Sequence, residues 1–380
     1  MRERPSRFRG LGVDLSKATS SADAFKMCGL DWEVSEHAVY PAIDGKIRAV
    51  RIDGVKALLH HDKNYTNGFR QLGYASTGYK VVQNRELWEV FDEVAKLGNL
   101  TFEHGGEFDG GRRVFAFARM EGEFNIPGVS DRKRLDGAGT NHEAPEGRVI
   151  DDKTYLKIMM SSGHIPGVSV VFAVVAEREI CWNGVRISEK AGDFRHYHNA
   201  LFAGKKEEIH KFFEKATKTF KEYGDLMKEL AEAHVDELTQ HLFIVEAMSP
   251  LRGSEIVSPA FQPALEEVLK GRRENWITKT APTDVRNEVF QKIHGNKDLQ
   301  ELILTESSTK ARSVIVLNND QAGADIMRPT LYKPYQAIAW YLNHESGRSA
   351  ETGLIKSMFN PNSLMPHAKD LAIEYIENRL

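Results

Sequence analysis

The sequence predicts an α+β fold: an antiparallel sheet flanked by helices, with a helical C-terminal region. Three observations carry this. Strand-like runs gather between Leu100 and Ala176, separated by turn residues short enough for hairpins. One strongly amphipathic segment, Asn84–Leu97, precedes them, and helical periodicity dominates from Gly204 onward. Strands followed by helices in blocks indicate α+β rather than alternating βαβ units.

In chain order, residues 1–21 carry Arg2, Arg4, Arg7 and Arg9 among Pro, Gly and Ser, and read as a flexible basic arm. An α+β core is expected over 22–203. It opens with a short helix at Asp23–Leu30 and an extended segment at Trp32–Tyr40. Ile47–Ile52 alternates around Arg48 and Arg51 and reads as a half-exposed strand, with a short strand or helix at Val55–Leu59. His60-His61-Asp62 suggests metal ligands, but adjacent histidines on a strand face opposite ways. Asn64–Thr77, rich in Gly, Asn, Ser and Tyr, reads as a surface loop.

The central helix has Asn84 as its N-cap and Gly98 as its stop. Leu100–Phe108 and Arg112–Met120 form a hairpin around Asp109-Gly110-Gly111, and Tyr155–Ser161 with Gly167–Ala176 forms a second. Trp88 and Phe91 are expected to pack against Phe115, Phe117, Val170 and Phe172. Between the hairpins, residues 127–152 hold little to bury and read as a mobile loop. The region 204–380 is mainly helical, with a long apolar stripe from Ile209 to Ala231. Further helices are expected at Val235–Met248, Pro263–Leu269, Val285–Ile293, Tyr332–Asn343, Leu354–Phe359 and His367–Arg379.

Composition bounds the function. At 380 residues, 41% hydrophobic and 28% charged, the chain has the make-up of a globular protein. A net charge of −3 excludes a global basic field, so a nucleic-acid site must be a local patch. Two cysteines, Cys28 and Cys181, are too few for a disulfide scaffold. With neither a long apolar run nor a signal-peptide pattern, the expected location is the cytoplasm.

Standard catalytic motifs are missing: no phosphate loop, no dinucleotide fingerprint, no serine elbow and no zinc-protease helix. Neither a cofactor nor a metal is expected. The basic and imidazole side chains suit phosphate contact better. The candidates are Arg112 and Arg113 at the hairpin mouth, then Arg119, Lys157, Arg178, Arg186, Lys190, Arg195, His196 and His198. Acidic residues are about as numerous over this region, so a groove requires the fold to sort the charges onto different faces. A catalytic alternative would assemble His104, His164, His196 and His198 with nearby carboxylates, and Cys181 beside Arg178 and Arg186 offers a thiol.

Five segments occur in a fixed order: Gly29-Leu30-Asp31-Trp32, Gly78–Trp88 (GYKVVQNRELW), Asp109–Met120 (DGGRRVFAFARM), Arg178–Asn183 and Arg195-His196. The series resembles a phage/plasmid-like family known as a domain of unknown function. Trp182 and Gly184 depart from it, where a polar residue and Thr are usual. The resemblance implies a mobile-element setting and no particular chemistry. In topology the core also resembles single-strand annealing proteins of the Rad-fifty-two type. Leu87–Leu97 would match their leading helix, Leu100–Met120 and Tyr155–Ala176 their sheet, and Glu179–Lys190 their following helix. That likeness implies binding and annealing of single-stranded DNA by a homo-oligomer, ring-shaped in those proteins. The alternative is a non-enzymatic interaction protein of the host-takeover or antirestriction kind.

Overall fold

The computed structural model describes residues 10–43, 45–47, 50–65, 67–129, 134–135, 141–142, 149–179, 183–187, 194–198, 202, 206–248, 251–252, 255–256, 261–270, 283–305, 308–320, 327–346 and 364–380. The expected helix Leu354–Phe359 lies outside these residues, as do Lys190, Cys181 and most of the loop expected over 127–152, whose ends at 127–129 and 149–152 are instead paired strand.

The N-terminal third contains β1 (Val13–Asp14), α1 (Ser21–Met27), β2 (Val34–Ala38), β3 (Ala42–Ile43), β4 (Lys46–Ile47), β5 (Val55–His61) and β6 (Phe69–Ser76). Strand β1 corrects the expectation of a flexible arm through residue 21. Val13 and Asp14 pair with Gly105 and His104, and Leu15 is buried. Glycine permits this approach, because a Cβ on Gly12 would meet the Gly105 carbonyl oxygen at 2.7 Å. Strand β6 replaces the loop expected at Asn64–Thr77. It pairs with β5 across a register shift at Leu58/Leu59, so Leu72 and Ala75, three apart, both face inward. That shift breaks the period-two signal on which a strand reading depends.

Helix α2 (Asn84–Leu97) buries Leu87, Trp88, Val90, Phe91, Val94 and Ala95. Its cap is Gln83, one residue before the expected Asn84, and Asn99 (φ 50°), not Gly98, takes the left-handed C-terminal position. The Leu100 N–H then donates to the Ala95 carbonyl at 2.8 Å, closing the last turn. Gly98 is needed for a different reason: a side chain there would collide with the Phe213 ring of the long helix described below.

The main sheet follows, from β7 (Thr101–Phe108), β8 (Arg113–Val129), β11 (Val149–Gly163), β12 (Val170–Arg178), β13 (Asn183–Arg186) and β14 (Phe194–His196), while β9 (Arg134–Leu135) and β10 (Asn141–His142) form a separate two-stranded pair between β8 and β11 in the chain. Its order is β1-β7-β8-β11-β12-β13, all antiparallel, with β14 also on β12. Both predicted hairpins are present. The helix expected at Glu179–Lys190 is corrected: Asn183–Arg186 pairs with Val175–Arg178 and gives that end of β12 a neighbour.

Both faces of this sheet are covered. Val114, Ala116, Ala118, Ile158, Met160, Phe172 and Val174 join the large core with α2. Phe108, Phe115, Phe117, Met159, Val171, Ala173 and Val175 form a separate cluster on the opposite face. All nine residues of β12 are buried, which is why VVFAVVA is continuous rather than alternating. Phe115 and Phe117 therefore do not meet α2. Trp88 stacks on Phe102 (5.1 Å) and contacts Phe25 (5.4 Å), while Phe91 reaches Phe172 (6.1 Å).

The remainder is α3 (Lys206–Glu232), α4 (Glu237–Met248), the short pair β15 (Leu251–Arg252) and β16 (Glu255–Ile256), then α5 (Gln262–Leu269), α6 (Thr283–His294), α7 (Lys297–Thr305), α8 (Thr309–Asp320), α9 (Tyr332–Trp340) with a π-turn at Tyr341–Glu345, and α10 (Leu364–Asn378). The α3 stripe, including Ile209, Phe212, Ala216 and Leu230, enters the same core as the sheet. Glu246 on α4 binds Arg379 (2.7 Å) just beyond α10 and Tyr375 within it (3.3 Å), tying these helices together. Among the described residues, no helix is long and apolar enough to cross a membrane.

Candidate nucleic-acid interface

The fold divides the ten predicted contact residues. Lys157 is fully buried, with its ammonium 2.5 Å from Glu103 and also hydrogen-bonded to Glu177. Arg178 is buried, its Nε donating to both oxygens of Asp152 at 2.8 and 2.6 Å. Tyr332 on α9 donates to that carboxylate too (2.9 Å), so the cluster joins sheet to helix. Arg186 is buried on β13. His196 is buried against Phe202 (5.3 Å), and His198 is stacked on Tyr79 (4.7 Å) with Nδ1 2.9 Å from the Lys80 carbonyl oxygen. Burying a cation demands a compensating partner, and Lys157 and Arg178 have theirs inside the protein. These five are corrected from groove contacts to interior residues.

The others remain partly or fully accessible. Arg112 is exposed at the β7–β8 turn, 3.7 Å from Asp109. Arg113 beside it is half-buried, and desolvation lowers its pKa. Arg119 lies 3.3 Å from Glu103, with its guanidinium over the Tyr155 ring (4.9 Å). It sits six residues along β8 from Arg113, roughly 20 Å at strand rise. Arg195 is partly exposed on β14. Lys190 lies outside the described residues. The accessible arginines are thus spread along β8, the turn before it and β14. The four histidines of the catalytic alternative also have separate partners: His104 lies 2.6 Å from the Leu11 carbonyl oxygen and His164 2.8 Å from Asn84. No group of three His, Cys, Asp or Glu among the described residues is placed to hold a metal.

A different surface combines exposure with aromatic chemistry. Strands β2, β5 and β6 form a three-stranded sheet whose inner face buries Val34, Leu58, Leu72 and Ala75. His60, also inward, stacks on Trp32 (3.9 Å, 17°). Arg70 bridges Asp62 (2.8 Å) and Glu107 (3.0 Å), and Trp32 donates to the same Glu107 carboxylate at 3.0 Å. These contacts fix the small sheet to the end of the β7–β8 hairpin. Gln83 adds a second attachment: its amide accepts from the Val34 N–H (2.9 Å) and donates to the Val34 carbonyl (3.0 Å), continuing the ladder along β2.

The outer face follows from the register. His37, Ala57 and Tyr74 form one cross-strand row, Ser35, Leu59 and Gln71 a second, and His61 with Phe69 a third. Tyr74 is 53% and Phe69 41% accessible, and His37 and His61 are also exposed. Both imidazoles meet the Phe69 ring edge-on, at 5.9 and 5.2 Å. Tyr65 in the β5–β6 turn is exposed under the Arg70 guanidinium (5.0 Å), and Lys63 in that turn faces solvent. Bases have apolar π-faces, and an exposed ring on a sheet is a surface on which they stack. A cleft of about 590 Å³ lies beside α1 and α2, but Lys26, Arg85 and Lys96 alternate there with Asp31, Glu89 and Asp92.

Sequence reading missed this face because it dissolved β6 into a loop. The available signal was the run Phe69-Arg70-Gln71-Leu72, interrupted by Gly73.

Fold and site together define an α+β protein with a helix-covered antiparallel sheet and a small accessory sheet presenting aromatic rings to solvent. The profile of the DUF932 family, described as a domain of unknown function, matches residues 71–359. The chain belongs to that family. No curated protein and no solved structure matches it.

Proposed function

We propose that this protein binds single-stranded nucleic acid, with DNA the expected form, and as a homo-oligomer anneals complementary strands in a cytoplasmic setting. One observation supports the reading above the others: Phe69, Tyr74, His37 and His61 share the solvent-facing side of one rigidly anchored sheet. Exposed rings grouped on a single face mark a contact surface. Stacking is tolerant of sequence, and unpaired bases expose their faces to it all along a strand.

The test is fluorescence anisotropy with a labelled oligo-dT and a duplex of equal length. The parent is expected to prefer the single strand. Phe69→Ala with Tyr74→Ala is expected to weaken binding by at least tenfold, since each stacked base contributes about 1–3 kcal/mol. Both rings are exposed, so the fold should survive. Equal affinity for duplex, or a double variant that binds as the parent does, defeats the proposal. Mixing complementary strands with the protein separately tests annealing.

A second reading, a non-enzymatic interaction protein, is favoured by the net charge of −3. It takes over if the parent shows no affinity for single strands at low salt.

A further inference from the structure

We infer that the β3–β4 hairpin is a wedge that engages the junction between paired and unpaired nucleic acid, an inference that rests on the single-strand reading above. The hairpin is inserted between β2 and β5, and its exposure is extreme. Ile47 is 81% and Val50 71% accessible, with Tyr40, Ile43 and Ile52 each above 40%. Of the thirteen large hydrophobic residues exposed among those described, these five occur within residues 40–52 and three more are Tyr65, Phe69 and Tyr74 on or beside the adjoining sheet. Isolated exposed apolar side chains need no explanation, but five within residues 40–52 do.

Nothing in the hairpin's own packing accounts for them. Its two strands share two residue pairs, Ala42 with Ile47 and Ile43 with Lys46, around Gly45 at φ 73°. A two-stranded hairpin has no second layer on which to bury side chains. It is held at its base, where the Ile52 N–H donates to the Val39 carbonyl at 2.8 Å.

Charge and position select the occupant. Residues 41–52 contain Lys46, Arg48 and Arg51 against Asp44, a local excess of positive charge in a chain of net charge −3. Isoleucines among cations suit a polyanion that also offers apolar surface, and a terminal base pair offers both. The β2–β5 pairing ends at Ala38 and Lys56, one step beyond the His37–Ala57–Tyr74 row. A strand stacked on that row therefore next meets the hairpin. Ile43 and Ile47 would abut the last base pair, and Lys46 and Arg51 would neutralise phosphates beside it.

Ile43→Ser with Ile47→Ser tests this, since both side chains are exposed and their replacement leaves the core intact. The probes are oligo-dT and the same oligo-dT carrying a duplex at one end. The parent is expected to bind the tailed duplex about tenfold more tightly, a factor equivalent to one order in Kd. The variant should lose that preference while its oligo-dT affinity stays within about twofold of the parent. A parent without the preference, or a variant that keeps it, overturns the inference and leaves the single-strand reading standing. Loss of self-association in the variant, seen by light scattering with the preference intact, overturns it in favour of a contact between copies. Failure of the parent to bind either probe overturns both readings together.

Discussion

His164 immediately follows β11, wholly buried, with Asn84 at the start of α2 fixing one ring nitrogen and the Trp32 ring 5.2 Å away. Burial holds its pKa far down, to about 3 from the usual 6.5, and the nearby His198 and His60 push the same way. His198 and His60 are themselves lowered, chiefly by desolvation. The unfolded chain takes up a proton at His164 near pH 6.5, while the folded protein resists it down to about 3. Between those values the unfolded state holds more protons, so stability falls as the pH is lowered. The melting temperature is expected to drop between pH 7.5 and 5, and His164→Gln should flatten that drop. An equally steep drop in the variant would assign the acid sensitivity to other groups. Lys157 illustrates the companion principle: its two carboxylate partners make it part of the interior, whatever its sign suggests about phosphates.

Among the elements, β2 is the outer strand of the aromatic face, and its free edge is completed by one side chain, Gln83. Gln83→Ala removes two hydrogen bonds and exposes the Val34 peptide to competition from water. The expected loss is about 1–2 kcal/mol in urea denaturation, with faster amide exchange confined to β2 and its neighbours. Unchanged exchange at Val34 would show that the edge does not depend on the amide. Strand parity governs the larger sheet in the same way. A shift of one residue separates Ala116, which faces the large core, from Phe115 and Phe117, which face the opposite cluster. The aromatic run in β8 looked like the natural partner of α2, but Phe102 and Phe172 fill that role.

For the whole molecule, the distribution of accessible charge limits how binding can depend on salt. If the protein binds single strands as proposed, phosphate neutralisation falls to a few accessible residues such as Arg112, Arg119 and Lys63, because five of the ten predicted contacts are buried. Each neutralised phosphate contributes roughly 0.7 to the log–log salt slope for single strands. A slope of about 1–2 per protomer is therefore expected, with the remaining affinity, from stacking, insensitive to salt. A titration between low and moderate salt giving a slope of six or more would contradict this and point to a broader basic surface than these residues supply.

The sequence by itself determined the α+β class, the family, the central helix, both hairpins of the main sheet and most of the C-terminal helices. Those depend on local periodicity and turn chemistry, which are written in neighbouring residues. Tertiary structure alone decided which charges lie inside. Lys157 and Arg178 look like surface cations until β7, β11 and β12 bring Glu103, Asp152 and Glu177 beside them. It also decided that Asn64–Thr77 contains a strand, since the register shift against β5 erases the alternation that would announce it. The aromatic face exists only once that strand is in place: Phe69 and Tyr74 are accessible because β6 pairs with β5 and turns Leu72 and Ala75 inward. Burial and pairing between residues distant in the chain are properties of the folded arrangement, and no window of neighbouring residues contains them.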